Sequence, residues 1–262
     1  MSGYVDIHAH ILPGLDDGPS TVEDALAMAQ AAIDAGTTTL ASTPHLRGDF
    51  PNVHVRELAE RCSALRERVA NHGLVLDIVC AAEISLTWAL DADDEETRLA
   101  SFGQRGTDLL IETPRSNTIG LDTLLYQLRA RGFRITLGHP ERTRAFQLDP
   151  SPLYALVEQG VLLQVNADSL LGDDRRSDTC RLGVDLCRAG LVHALASDGH
   201  RGESWRPVSR LAAAAAAAAE LVGPDRARWM AIDAPAAVVS GEELPEAPAV
   251  VSRKRRRRLW GR

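Results

Sequence analysis

The sequence predicts an α/β protein whose seven parallel strands close, or nearly close, into a TIM-like (β/α) barrel. Three observations point there. Apolar or β-branched runs alternate with amphipathic stretches along most of the chain, the rhythm of βα units. Each run ends on polar residues, as strands do when they deliver side chains to a shared rim. Side chains able to bind metal follow strands one, two, three, four, five and seven. An open doubly wound sheet would instead gather its ligand residues at one crevice.

The first strand begins at Tyr4 and carries His8 and His10. Successive strand side chains alternate, so these two share a side about 7 Å apart and can converge on one divalent ion. The strand runs into a Pro13-Gly14 turn followed by Asp16 and Asp17, which offer hard oxygen donors. From Ser20 a helix is expected, capped by Ser20 or Thr21, with Glu23 and Asp24 in its first turn and Gly36 as its stop. Strand two, Thr37 to Thr43, is β-branched and ends at Pro44-His45. Val53 to His72 has the spacing of an amphipathic helix closed by Gly73.

Leu74 to Ala82 is a nearly continuous apolar run, a strand buried on both faces, and it delivers Glu83. Strand four, Asp108 to Ile111, hands over Glu112. Leu121 to Arg131 reads as helix, and strand five, Phe133 to Gly138, leads to His139-Pro140-Glu141-Arg142. A helix over Leu153 to Gln159 precedes strand six, Val161 to Val165, which ends at Asn166. Arg175 to Arg188 is helical, and strand seven, Leu191 to Ser197, supplies Asp198-Gly199-His200. Leu211 with the eight alanines after it makes a strong helix without chemistry, and a short helix begins at Arg226. Residues 1–241 are expected to form one domain. Glu242 to Pro248 reads as an acidic, proline-bearing linker, and the run Arg253–Arg258 as a disordered tail.

A chain of 262 residues, 45% apolar and 25% charged, is ordinary for a globular protein and long enough to bury a large core. Its net charge of −7 argues against nucleic-acid binding. Cys62, Cys80, Cys180 and Cys187 suggest no disulfide framework. Cys180 and Cys187, on one helix, stand about 10 Å apart, too far to bridge. With no secretory h-region and no run of 18 apolar residues, a cytoplasmic protein is expected.

Nine side chains stand at or just past strand ends: His8, His10, Asp17, His45, Glu83, Glu112, His139, Asp198 and His200. That exceeds what one tetrahedral zinc needs, and no thiolate joins them. The mixture of imidazole and carboxylate favours two or three ions such as manganese, iron or zinc. Asp16 reads as a turn residue or a support to a ligand. His54, His72 and His193 fit no motif and read as surface or core residues.

The set His8-Ala9-His10, Thr43-Pro44-His45, Ala82-Glu83, Gly138-His139-Pro140-Glu141-Arg142 and Ser197-Asp198-Gly199-His200 resembles the polymerase-and-histidinol-phosphatase (PHP) superfamily. More narrowly, His10-Ile11-Leu12-Pro13-Gly14-Leu15-Asp16-Asp17-Gly18, Ala81-Ala82-Glu83-Ile84 and His139-Pro140-Glu141-Arg142 look like the bacterial protein-tyrosine phosphatases associated with capsule and exopolysaccharide, over residues 4 to 240. The resemblance implies a distorted seven-stranded (β/α) barrel, the PHP fold, and hydrolysis of phosphotyrosine on a bacterial tyrosine autokinase of polysaccharide export. It implies a first ion, most often manganese, at His8, His10, Glu83 and Asp198. A second would be bridged by Glu83 and completed by Glu112 and His139, and a third held by Asp17, His45 and His200.

Adjacent cations would neutralise a phosphomonoester of about two negative charges and lower the pKa of water, so that hydroxide attacks phosphorus with no protein nucleophile. Arg142 and Arg206 match arginines near the family's site and are expected to grip the phosphoryl oxygens; with Asp17 they are the expected catalytic side chains. Two departures, Leu46 after His45 and Gly199 after Asp198, are expected to alter the mouth of the site. The runner-up activity is a small-molecule phosphatase of the histidinol-phosphatase type. A nucleic-acid phosphoesterase is disfavoured by the acidic body. The Arg253–Arg258 tail offers a peripheral contact with anionic membrane or an acidic partner, about 1 kcal/mol per basic residue at lipid.

Overall fold

The computed structural model describes residues 3–116, 118–172, 176–202 and 205–251. Among them the strands pair in parallel throughout, giving a mixed α/β fold. One sheet runs β1 (Tyr4–Ala9), β2 (Thr37–Ser42) and then β4 (Asp77–Cys80). The other runs β3 (His45–Leu46), β5 (Glu83–Ile84), β6 (Asp108–Glu112), β7 (Arg134–Gly138), β8 (Leu162–Asn166) and β9 (Val192–Ala196).

Expected strands two and three are therefore each interrupted, and the reason is local. Pro44 has no N–H to give the ladder, and the Ala82 N–H turns aside to Ala100 O at 3.1 Å. The ladder resumes where His45 pairs with Glu83. Beyond β9 the chain turns alongside β1: Asp198 N–H donates to His8 O at 2.8 Å and His10 N–H to Gly199 O at 2.7 Å.

Helix α1 (Val22–Asp34) starts at Thr21, whose hydroxyl accepts from Asp24 N–H while the Asp24 carboxylate accepts from Thr21 N–H. The amphipathic stretch after it begins as a 3₁₀ turn, Val55–Glu57, before α2 (Leu58–Asn71). Between β5 and β6 lie two helices the sequence reading leaves unassigned, α3 (Leu86–Asp91) and α4 (Asp94–Ala100). Their signals were local: Ser85 caps one, and Asp93 with Glu96 forms a capping box on the other. Helix α5 (Leu121–Ala130) follows β6, and α6 (Arg144–Leu148) and α7 (Ser151–Glu158) follow β7. Helices α8 (Ala167–Leu171) and α9 (Asp178–Arg188) follow β8.

Alternation along the strands divides the core. Leu109 and Ile111 pack among the helices in the larger apolar cluster. Leu110 packs with Ala41, Val79, Ala194 and Ala196 in a smaller one, together with Phe102, Val238 and Val239. Those two valines belong to α12 (Ala234–Ser240), reached through α10 (Arg210–Val222), α11 (Pro224–Arg228) and a π-helical turn, Trp229–Asp233. The last helical region thus runs well past the short helix expected from Arg226.

The expected linker, Glu242 to Pro248, has no regular structure but lies against the body. Trp229 Nε1 donates to Pro245 O at 3.0 Å, and Arg134 Nη1 to Glu242 O at 2.7 Å. Val251 N–H reaches Val222 O at 2.8 Å. Composition suggested a free segment because it is acidic and proline-bearing; its carbonyl oxygens accept these bonds, and Leu244 packs against the core. The Arg253–Arg258 run lies outside the described residues.

Candidate metal centre

His8 and His10 leave β1 together, and their Nε2 atoms face the same two carboxylates. His8 Nε2 lies 3.5 Å from both Glu83 Oε2 and Asp198 Oδ1, and His10 Nε2 lies 3.6 Å from each. None of the four atoms has a hydrogen-bond partner, although all four residues are at most 1% exposed. Unpartnered buried polar atoms cost roughly 1–3 kcal/mol each. The spacing is too long for hydrogen bonds and suits two donors of one ion: a tetrahedral shell with bonds of about 2.1 Å has edges of about 3.4 Å.

Other donor atoms stand close by at mixed spacings. Asp17 Oδ1 lies 3.5 Å from His45 Nε2 and 3.4 Å from His200 Nε2. His45 Nδ1 lies 2.7 Å from Glu83 Oε2, and His139 Nε2 lies 2.9 Å from Glu83 Oε1. Asp17 Oδ1, His45 Nδ1 and His139 Nδ1 are likewise buried without hydrogen-bond partners. Among the described residues, ligand atoms close enough to share an ion fall into four overlapping groups: His8, His10, Asp198; His8, Glu83, His139; His45, Glu83, Glu112; and His10, Asp17, His45, His200. All nine expected ligand residues are thus brought together. Glu112 stands with His45 and Glu83 rather than with His139, so the grouping differs from the expected partition. Asp17, Arg142 and Arg206, the expected catalytic side chains, all lie at this cluster.

Three supports fix these donors: Asp16, expected from the sequence as a support, and Gln164 and Asn166, which were not singled out. Asp16 Oδ2 accepts from His10 Nδ1 at 2.6 Å and from His45 N–H at 3.0 Å. Gln164 Oε1 lies 3.0 Å from His8 Nδ1 and 3.3 Å from His139 N. Asn166 Nδ2 donates to Asp198 Oδ2 at 2.6 Å. Each leaves the other ring nitrogen or carboxylate oxygen aimed inward, the usual arrangement around metal ligands. Gln164 and Asn166 ended an otherwise apolar strand, and that polarity was the available signal. His139 and Asp198 hold left-handed backbone, with φ of 36° and 51°. Such conformations cost on the order of 1–3 kcal/mol and persist where surroundings impose them.

The electrostatics follow from burying so many like groups. Burial alone would raise the Glu83 carboxyl, but the His8, His45 and His139 imidazoles hold it well below the usual range. Asp198 is likewise kept low against burial by His8, His10 and His139 and by Arg206. Glu112 moves up, through burial and the nearby Glu83 charge. Arg47 Nη1 answers it at 2.7 Å. Arg142 and Arg206 both donate to Asp198 Oδ2, at 2.9 and 2.7 Å, and Arg206 also has left-handed backbone, φ 46°.

Aromatic rings close two sides. Phe50 stacks on His45 with centroids 5.2 Å apart, and Trp205 lies 4.5 Å from the His200 ring. The two departures in sequence do not face this mouth. Leu46 is 1% exposed within the larger core, and a side chain at Gly199 would collide with Val208. Of the histidines set aside, His54 and His72 are exposed, and His193 is partly buried with its Nδ1 accepting from Leu163 N–H at 3.2 Å.

Cys62 stands six residues before Arg68, the Cys-x5-Arg spacing of a phosphate loop, which corrects the expectation that no cysteine has an arginine six residues on. Both sit within α2, whose backbone N–H groups are used by the helix, and Cys62 is fully buried. The spacing there is a helical coincidence.

Residues 4–240 match the family model described as capsular polysaccharide synthesis, CpsB/CapC. The chain is 32% identical over 197 residues to the tyrosine-protein phosphatase YwqE of Bacillus subtilis, covering 75% of this chain and 77% of that protein. It is 31% identical over 199 residues to the putative tyrosine-protein phosphatase CapC of Staphylococcus aureus, covering 75% and 76%. A solved structure from work on YwqE and on CpsB from Streptococcus pneumoniae, described as unique metal-dependent tyrosine phosphatases, superposes with a TM-score of 0.80 at 27% identity over 95% of this chain and all of that one. The inactive dihydroorotase-like domain of a Chaetomium thermophilum CAD-like protein shares the fold, with a TM-score of 0.57 at 13% identity. The chain belongs to the CpsB/CapC family of capsular polysaccharide synthesis.

Proposed function

We propose that this protein is a metal-dependent phosphomonoesterase that hydrolyses phosphotyrosine on proteins. One observation carries the reading: six unpartnered, buried donor atoms of His8, His10, Asp17, His45, Glu83 and Asp198 face one another beside two arginines. The relatives' activity as tyrosine-protein phosphatases favours phosphotyrosine over the small-molecule alternative.

His8, His10, Glu83 and Asp198 would hold one ion, with Glu83, Glu112 and His45 serving a second and Asp17, His10, His45 and His200 a third, while His139 stands with His8 and Glu83. Manganese suits the mixture of imidazole and carboxylate, and iron or zinc are the next candidates. When bound, such ions neutralise phosphoryl charge and lower the pKa of water. The chain's own work is positioning. Arg142 and Arg206 approach Asp198 from one side and offer the fork geometry that fits two phosphoryl oxygens. Asp17, partly exposed at the mouth, would present its Oδ1 beside His45 and His200 to the third ion.

The finer readings belong here too. The fold is read as a distorted seven-stranded barrel of the PHP type, since β2 with β3 and β4 with β5 each follow one strand path and the chain after β9 bonds to β1. Residues 1–241 are read as the catalytic domain, the remainder running along it and into the basic tail. The proposed substrate is a bacterial tyrosine autokinase of polysaccharide export, met in the cytoplasm, with Arg253–Arg258 offering contact to anionic membrane. No helix among the described residues is long and apolar enough to cross one.

The test is turnover of a phosphotyrosine peptide, a phosphoserine peptide and histidinol phosphate by protein supplied with manganese. The reading expects the first to dominate and EDTA to abolish it. Preference for histidinol phosphate, or full turnover after chelation, contradicts it.

A further inference from the structure

A cleft of about 310 Å³ opens beside the metal centre, with Glu112 belonging to both. Its walls include Leu86, Pro114 and Ile119, and its charged groups are Arg47, Glu112 and Arg115. The two arginines differ. Arg47 is answered by Glu112 at 2.7 Å and by Asp49 at 2.6 Å. Arg142 and Arg206, nearby, are both answered by Asp198. Arg115 makes no ion pair with a carboxylate among the described residues, and the positive field of Arg142 and Arg206, with partial burial, pushes its guanidinium below the ordinary value.

An exposed arginine beside other cations, in a protein of net charge −7, is an unanswered positive spot on an acidic molecule. Such a spot focuses anions. The apolar walls suit a short methylene stem, and the hydroxyl of Thr87 adds a polar contact at the same cleft.

We propose that this cleft is a subsite for an acidic side chain flanking the phosphotyrosine of the protein substrate, with Arg115 as its counter-charge. The phosphoryl group itself falls to Arg142 and Arg206, so Arg115 determines which sequences around the tyrosine are preferred. This rests on the phosphotyrosine reading above.

The experiment uses the full chain with manganese and three phosphotyrosine peptides identical except for Glu, Gln or Lys on each side of the tyrosine. The expected order of kcat/KM is Glu over Gln over Lys, by roughly three- to fivefold per step, the size of a partly exposed ion pair. The differences should lie in KM and shrink in 0.5 M salt, where screening acts within about 4 Å. Arg115→Glu should invert the order, and Arg115→Ala should bring the three peptides together. Equal kcat/KM on all three with the unaltered chain overturns the subsite. So does an Arg115→Glu protein that keeps the original order while losing rate on every peptide. Absence of turnover on any peptide by the unaltered chain would instead count against the phosphatase reading.

Discussion

Asp16 Oδ2 lies 2.6 Å from His10 Nδ1, and the same oxygen accepts the N–H of His45 at 3.0 Å. One carboxylate thereby sets the ring orientation of one candidate ligand and the backbone position of another. Its own proton affinity is low: burial works against the charge, but His10 and the two backbone N–H donors outweigh it. Asp16→Ala should weaken metal binding by about 10- to 100-fold, the usual cost of losing such a support. Activity should return as metal concentration is raised, because the inward donors remain. Metal titration followed by activity checks this; a defect that added metal leaves untouched would place Asp16 in the chemistry itself.

Glu83 is the hub of the site, touching His139 through Oε1 and facing His8, His10 and His45 through Oε2. Glu83→Gln replaces one acceptor oxygen by an NH₂ among imidazoles. Metal content of protein purified without chelator should fall by at least one ion per chain relative to the unaltered protein. Phosphotyrosine turnover should fall by more than a hundredfold. Normal metal content by elemental analysis would contradict the assignment of Glu83 as a ligand.

Much of this site is legible in the sequence. Period two placed His8 and His10 on one side of a strand, and glycine or proline marked where β2, β7 and β9 deliver His45, His139 and Asp198. What the sequence withheld depends on three dimensions. Gln164 and Asn166 end a strand like any polar pair, and only its register beside β7 and β9 turns them toward His8 and Asp198. The grouping of Glu112 with His45 comes from β3, two residues long and paired with β5, which no propensity announces. Helix α4 was hidden by acidic content that lowers apolar periodicity and α3 by its length of 6 residues, though their caps were written in Asp93 and Ser85.

Arg142 and Arg206 share a single oxygen, Asp198 Oδ2. Each alone should be worth about a hundredfold to a thousandfold in kcat if it stabilises phosphoryl charge as it develops. Because both act on one group, the double replacement should cost less than the product of the singles. Arg142→Lys should recover only part of the loss, since an ammonium lacks the planar fork. Single replacements that raise KM while leaving kcat unchanged would make both arginines simple binding groups.

Removing the metal should also loosen the fold. Without cations the buried carboxylates of Glu83 and Glu112 repel, which is part of what raises Glu112. A ligand that binds only the folded chain stabilises it by about 2.7 kcal/mol at a hundred times its dissociation constant. For a domain of this size that corresponds to a shift of roughly 5–10 °C. Differential scanning calorimetry with manganese and with EDTA should show that gap, and His8→Ala should narrow it. Identical transitions in both buffers would mean that the cluster takes up no ion.

Acid should weaken the protein partly through a residue remote from the metal centre. His193 accepts the Leu163 N–H with its Nδ1, and burial, with the nearby Arg226 charge, pushes its pKa down to about 4. The unfolded chain takes up this proton near pH 6.5 and the folded chain does not until about pH 4. Its contribution is therefore complete above pH 6.5 and drains as pH falls, by about 2 kcal/mol at pH 5. Asp6 and Glu141, both raised to about 6 by burial, act in the opposite sense and favour the fold as pH falls through that range. Urea unfolding at pH 7.5 and pH 5 of the unaltered chain and of His193→Asn separates the two. The variant should lose about 2 kcal/mol less across that interval, because Asn accepts the same N–H without titrating; equal losses in the two proteins would remove His193 from the acid response.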